Sequence, residues 1–330
     1  DGLVGSEMCI RDSRYLKDFI LPIYKKLYEL QKEIGIETIN EVNSLETAYN
    51  YEALSFFDDN FLNPSYFSSY EPSYNNDLTI QLGQILFFDP ILSTNNKRAC
   101  ASCHQPEKAF TDGNKKSIAL NFEGNINRNA PTIIDAIFSD RYFYDLKAEK
   151  IEKQFIHVIK NEHEFNTTYQ EIFNKLNQSK EYQSLFKQAF TKHQNNPINT
   201  FTFSTALGAY ISSLTSFNSK FDQSLKPNSE DLNKEQILGF NIFMGKGLCA
   251  TCHFPPTFSG LVPPLYNENE SEVIGVPKTK LANEIDSDLG RYNNGRHKEM
   301  SFIYKNSFKT TSVRNVALTA PYMHNGVYEL

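Results

Sequence analysis

Apolar positions recur at helical spacing from the start of the chain. In "YLKDFILPIYKKLYELQKE", Leu16, Phe19, Ile20, Ile23, Leu27 and Leu30 share one face, and Pro22 predicts a kink. The pattern predicts helices over 14 to about 57 and then a Pro, Ser, Asn and Tyr loop over 63–77. "LTIQLGQILFFDP" reads as a helix ending at Pro90. "APTIIDAIF", "AEKIEKQFIHVI", "TYQEIFNKLNQ", "EYQSLFKQAFTK", "FTFSTALGAYISSLTSF" and "LNKEQILGFNIFMGKGL" read as further helices. Two stretches break the pattern: a polar, glycine-containing segment over 105–129 and a loop-rich one over 254–300. Long structureless loops in compact domains are usually functional or wrapped around something. Sustained period-two alternation is missing, so the fold is expected to be mainly α.

Composition narrows this. The 330 residues suffice for two cores, and no run is long and apolar enough to span a bilayer. A formal charge of −6 argues against nucleic acid, which needs a basic face. The opening "DGLVGSEMCIRDS" has no basic start and no apolar run, so it is not a signal peptide. It reads as a translated sequencing adapter joined to a truncated frame. Setting aside residues 1–13, with net charge −2, leaves −4. It also removes Cys9, and the four cysteines left all lie in two words, "CASCH" at 100–104 and "CATCH" at 249–253.

CxxCH is the pattern of covalent haem c attachment. Two thiols about one turn apart can add to the vinyl groups on one porphyrin edge, and the histidine supplies an axial nitrogen. Cys100, Cys103 and His104 would hold one haem, and Cys249, Cys252 and His253 a second. A zinc site built from two CxxC halves has about 15 to 20 residues between them. Here 145 separate Cys103 from Cys249. A thioredoxin-type pair needs a βαβ setting, and structural disulfides leave the two histidines unexplained. Haem c attachment works outside the bacterial inner membrane, so a periplasmic protein is expected, its export signal missing from this chain. The two words make this a coarse duplication: 14–77 an N-terminal helical extension, 78–225 and 226–330 two cytochrome-c-like haem domains in tandem, the linker-like "KPNSED" at 226–231 between them.

From about residue 78 onward the chain resembles the bacterial dihaem cytochrome c peroxidases and their MauG-like relatives. The words are "LGQILFFDPILS", "ACASCHQPEKAFTDG", "NRNAPTIIDAIF", "GFNIFMGKGLCATCHFPPTFSG", "DLGRY" and "FKTTSVRNVALTAPYMHNG". The resemblance implies reduction of hydrogen peroxide at the N-terminal haem. Electrons would come from a small cytochrome or copper protein through the C-terminal haem; a homodimer stays open. It implies Glu164 in "NEHEF" as the acid–base group, with Gln154 in "IEKQ" nearby. It also implies a calcium ion held by Asn129 with Thr319 and Pro321, although Asn129 could equally cap a helix beginning there. His324 of "PYMHNG" would hydrogen-bond near a haem edge.

Four departures qualify that resemblance. The loop "LNFEGNIN" carries no histidine to block the first iron, which predicts an open site, as in the MauG-like branch. The chain has no Trp, and "FYDLK" puts Tyr144 where the family has its bridging tryptophan, either to relay an electron between the haems, shedding its proton, or as a core aromatic. His157 and Val158 replace a usual Gly and Pro, so His157 or His163 could approach the distal face. The sixth ligand of the second iron is expected beyond Leu330, since Met323 does not hold the ligand's place in its motif. Two rivals stand beside the peroxidase: a MauG-like oxidase acting on residues of a partner protein, and an electron-transfer cytochrome, which would need no acid at Glu164.

Overall fold

The structure, a computed structural model, describes residues 15–37, 47–226, 229–281 and 283–329. The adapter-like leader and part of the 226–231 linker lie outside the described residues. A π turn, Leu16–Ile20, runs into helix α1, Leu21–Glu33. Pro22 stands in the first turn of α1, where a missing N–H breaks no intrahelical bond. Neither segment buries a residue, and Phe19, Ile23 and Leu27 are each more than half exposed.

Residues 47–57, expected as helix, are turns. The Asp58 carboxylate accepts from the Leu54 and Ser55 N–H groups at 2.9 and 3.0 Å, and Asn50 accepts from Glu52 N–H at 2.9 Å. Such side chains offer the backbone an alternative to the helical ladder. Within the 63–77 loop, Asn63 caps the single turn α2, Pro64–Phe67.

The strongest apolar periodicities do form helices. Helix α3, Asp77–Phe88, is capped by Asn76 and stops before Pro90. Helices α4, Ile151–Lys160, α5, Tyr169–Gln178, and α6, Lys180–Ala189, each bury one stripe. Helix α7, Thr200–Ser213, is buried almost all round and forms the centre of the first half. α3 crosses it so closely that a Cβ on Gly83 would lie 1.9 Å from the Ala206 carbonyl oxygen. Only glycine permits that approach.

"APTIIDAIF" is not a helix, contrary to its apolar spacing. Asp135 has φ +58°, and its N–H donates to the Leu214 carbonyl at 3.1 Å. Thr132 Oγ1 takes the Ile134 N–H at 3.2 Å. The donors a helix would use go elsewhere, so Asn129 caps nothing.

Helix α8, Lys220–Ser224, ends the first half, and α9, Lys234–Met244, is the α-helix of the second among the described residues. The described residues beyond are turns and one short antiparallel ladder, β1 (Ser271–Glu272) on β2 (Phe308–Lys309), pairing Ser271 with Lys309. The fold is mainly helical with few strands, as expected.

The halves repeat at the level of turns. Tyr142 N–H donates to Ala148 O at 2.7 Å, and 180 residues on Tyr322 N–H donates to Tyr328 O at 2.8 Å. Leu146 N–H meets Phe143 O at 3.1 Å, as Gly326 N–H meets Met323 O at 3.1 Å. Phe143, Leu146, Met323 and Gly326 all have positive φ.

One apolar cluster runs through the molecule, and Tyr49 and Phe61 reach Tyr266 of the second half at 6.0 and 5.3 Å between ring centroids. Polar clamps join the halves. Asn269 Oδ1 accepts from Ser139 Oγ, Asp140 N and Arg141 N at 2.9, 2.7 and 3.1 Å. Arg128 reaches both Asp145 and Asp288 at 2.6 Å.

Candidate active site

Both CxxCH words fold the same way. Cys100–Ser102 and Cys249–Thr251 are single 3₁₀ turns. The His104 and His253 N–H groups each donate to the carbonyl of the first cysteine at 3.0 Å. His104 Nδ1 lies 3.1 Å from Phe110 O, and His253 Nδ1 lies 3.2 Å from Phe258 O. A carbonyl only accepts, so Nδ1 carries the proton and Nε2 keeps its lone pair. Desolvation lowers the proton affinity of both rings, which keeps them neutral. All four cysteines are free thiols. Desolvation pushes Cys100 up to about 12.

The two words open into one cavity of about 1450 Å³ lined by residues of both halves. That exceeds the roughly 300–1,000 Å³ of an ordinary small-molecule site. Two thiols and an unprotonated ring nitrogen at each end, facing a space of this size, fit two covalently tethered haem c groups. They do not make a metal cluster of their own: no group of three or more His, Cys, Asp or Glu among the described residues could hold an ion.

Glu164 lines this cavity from the turn that follows α4. Its N–H donates to Asn161 O at 3.0 Å, and Asn161 Nδ2 donates to its carboxylate at 2.7 Å. The buried Phe165 and the bond from Leu120 N–H to His163 O, 2.7 Å, hold the turn in place. Desolvation raises the carboxyl above the usual range; Asn161, Lys147, Arg98 and His163 oppose it. Gln154 faces the same cavity from α4, one turn before Val158.

Tyr144 also lines the cavity, and its hydroxyl donates to Asn129 Oδ1 at 3.2 Å. Asn129 Nδ2 donates to Asn114 O at 2.8 Å. Thr319 and Pro321 share the cavity wall with Asn129. Tyr144 takes one lone pair of Asn129 Oδ1, the side-chain oxygen that the expected calcium site would use. His324 is buried, stacked on Phe308 at 3.7 Å and 8°, with Nε2 3.3 Å from Asp286 Oδ1. Its Nδ1 has no partner among the described residues, and the residue lines the cavity, which suits a hydrogen bond to a bound group.

The two candidate distal histidines differ. His157 is exposed and packs edge-on against Phe143 at 5.6 Å, away from the cavity lining. His163 reaches the rim, yet its side chain is 57% exposed and pairs with Glu162 at 3.6 Å.

Two cations escape a reading of motifs alone. Arg98 is 4% exposed, with one nitrogen 3.4 Å from Cys103 Sγ, another 2.7 Å from Ala119 O, and Nε without a partner among the described residues. Lys147 lines the cavity with Nζ 4.1 Å from the Phe143 ring centroid. Lys147 stands inside the quoted word "FYDLK" and Arg98 two residues before Cys100, so proximity to the motifs was the signal available.

Comparison with known proteins gives the family. Residues 77–230 match the family model described as di-haem cytochrome c peroxidase. The chain is 31% identical to the cytochrome-c peroxidase IdrP2 of Denitromonas iodatirespirans, over 75% of this chain and 70% of that protein. It is 31% identical to the cytochrome c551 peroxidase of Pseudomonas aeruginosa, over 76% and 68%. The methylamine utilization protein MauG of Methylophilus methylotrophus is 28% identical, over 76% and 70%. Among solved structures, a MauG-like protein associated with microbial copper homeostasis matches with a TM-score of 0.68 at 25% identity, over 80% of this chain and 77% of that one. The chain belongs to the di-haem cytochrome c peroxidase family, and two haem c groups come with that membership.

Proposed function

We propose that the protein is a periplasmic peroxidase that reduces hydrogen peroxide at the His104 site with electrons received through the His253 site. When bound, the two haem c groups supply the iron at which the O–O bond breaks and the store for the electrons. Cys100 and Cys103 would tether the first and His104 Nε2 would ligate it; Cys249, Cys252 and His253 would hold the second. Overall, hydrogen peroxide, two electrons and two protons give two waters, the electrons coming from a small cytochrome or copper protein and the protons from solvent.

The observation that carries this reading is the Glu164 carboxyl on the cavity wall. Heterolysis needs a proton taken from the near oxygen of peroxide and returned to the far one. A carboxyl whose proton affinity is raised by desolvation suits both steps. Gln154, on the same wall, would orient the peroxide by hydrogen bonding. In haem-loaded protein, Glu164→Gln is expected to slow peroxide consumption by about 10²–10⁴-fold with the resting haem spectrum unchanged. A rate that survives the substitution would overturn the peroxidase reading and leave an electron-transfer cytochrome.

One observation favours a second reading, a MauG-like oxidase acting on partner-protein residues. The segment 105–129 contains no histidine, and His157 turns to Phe143. That site would be open without prior reduction. Peroxide consumed by the fully oxidised protein, with oxidised residues on a partner found by mass spectrometry, would favour the oxidase. Compartment follows from haem attachment chemistry; no helix among the described residues is long and apolar enough to cross a membrane.

A further inference from the structure

Behind the wall of the first site stands a tyrosine with a base. Asp89 follows α3 and caps the 3₁₀ turn Pro90–Leu92, accepting from the Ile91 N–H at 2.8 Å through Oδ1. Its other oxygen, Oδ2, accepts from the Tyr182 hydroxyl. Tyr182 comes from α6, which packs on α3, and it is 7% exposed. Phe87, two residues before Asp89, and Leu92, three after it, both line the cavity that Glu164 lines. Consecutive Cα atoms are about 3.8 Å apart, so the Asp89 Cα lies within about 8 Å of that of a lining residue. The Thr94 N–H, which donates to Phe165 O at 2.9 Å, ties the same segment to the Glu164 turn.

The other phenols near the first site have weaker acceptors. The Tyr142 hydroxyl donates to Ile137 O at 3.2 Å and the Tyr144 hydroxyl to Asn129 Oδ1 at 3.2 Å; both residues line the cavity. The Tyr169 hydroxyl lies 3.4 Å from Ser204 Oγ. A carbonyl, an amide and a hydroxyl are not bases near neutrality, whereas an ionised carboxylate is. Taking an electron from Tyr142 or Tyr144 would leave a radical cation, a new charge in a buried place. At Tyr182 the reverse holds: the proton crosses to Asp89, the radical is neutral, and the carboxylate charge disappears. Desolvation and the bond to Asp89 raise the proton affinity of the phenol, so it stays protonated until an electron leaves with the proton.

We propose that Tyr182 is a redox-active tyrosine that yields one electron to the peroxide-oxidised first site while Asp89 takes its proton. This rests on the peroxidase reading above. The step balances. Hydrogen peroxide is the oxidant, and it takes two electrons and two protons to give two waters. One electron comes from the haem-bearing sites and one from the phenol, whose O–H bond breaks as its proton passes to Asp89 Oδ2. One electron from the donor protein then restores the phenol as the proton returns. The pair stores an oxidising equivalent while the donor is away.

The test uses haem-loaded protein, fully oxidised and singly reduced, mixed with stoichiometric hydrogen peroxide in the absence of a donor. Samples are frozen at intervals for electron paramagnetic resonance, and the remaining peroxide is assayed. The parent is expected to show a tyrosyl radical whose lines narrow when the protein is grown on ring-deuterated tyrosine. Tyr182→Phe is expected to lose it. Asp89→Asn, which keeps an oxygen for the Ile91 N–H, should lose it too, and both variants should retain the resting haem spectrum. A bond that only tethers α3 to α6 would give no radical to lose. A radical that persists in Tyr182→Phe overturns the assignment, and one lost there but kept in Asp89→Asn overturns the role of the carboxylate. Peroxide consumed by the parent with no tyrosyl radical in either state overturns this proposal alone. Peroxide consumed in neither state sinks the peroxidase reading and this one with it.

Discussion

A phenol that relays an electron must give up its proton. The Tyr144 hydroxyl donates to Asn129 Oδ1 at 3.2 Å, an amide oxygen with little basicity. Desolvation raises its proton affinity, and the Arg128 charge only partly opposes that. Among the described residues its hydroxyl donates to no base that could receive the proton, which suits packing better than relay. Tyr144→Phe is therefore expected to leave electron transfer between the two sites unchanged. It should reduce stability by about 1 kcal/mol, the worth of one hydrogen bond. Optical transients after pulse reduction, with a denaturant titration beside them, check both. Transfer that slows in the variant would restore the relay role.

At the scale of elements, the loop-rich second half depends on charge where the first depends on helices. Glu299 accepts from Arg141 at 2.6 and 3.1 Å, from Arg291 at 3.0 Å and from Asn294 at 2.6 Å. Burial pushes its carboxyl up, but these hydrogen bonds and the Arg141 charge outweigh it and hold it at about 2 instead of 4.5. A depressed carboxylate stabilises the fold fully above the unfolded value, so this contribution is lost as pH falls from about 4.5 toward about 2. Glu299→Ala should cost about 3 kcal/mol, because Arg141, 11% exposed, is left without its partner. Hydrogen exchange should show residues 291–306 opening first, and a variant as stable as the parent at pH 7 would refute the clamp. The limits of sequence reading have the same origin. Helices α3 to α7 and α9 were legible because their apolar stripes and caps are local. Ile133, Ile134, Ile137 and Phe138 imitate such a stripe, yet a distant acceptor, the Leu214 carbonyl, takes the Asp135 N–H. The CxxCH words were legible because attachment chemistry is written within five residues. Lys147 and Arg98 were not, since the cavity whose wall they share is assembled only by the fold.

Over the whole molecule, the segment ahead of the family match divides into two parts with different weight. Helix α1 and the π turn before it bury no residue and touch the body through pairs such as Lys17 with Asp231 at 2.6 Å. Exposed ion pairs of this kind contribute about 0–1 kcal/mol. Residues 47–74 are different. Phe67 is fully buried, Phe61, Leu62, Tyr70 and Tyr74 nearly so, and Phe61 meets Tyr266 edge-on at 5.3 Å. These side chains complete a core that the matched residues, 77–230, do not close by themselves. Truncating a buried phenylalanine alone costs about 3–5 kcal/mol, and a folded domain holds only about 5–15 in total. Deleting residues 1–37 from the haem-loaded protein should therefore leave the thermal midpoint within a few degrees of the parent. Deleting residues 1–76 should abolish cooperative unfolding or yield insoluble protein. If the longer deletion instead unfolded cooperatively at the parent's temperature, the 47–74 segment would be a removable cover, and the core would have to close between the two halves without it.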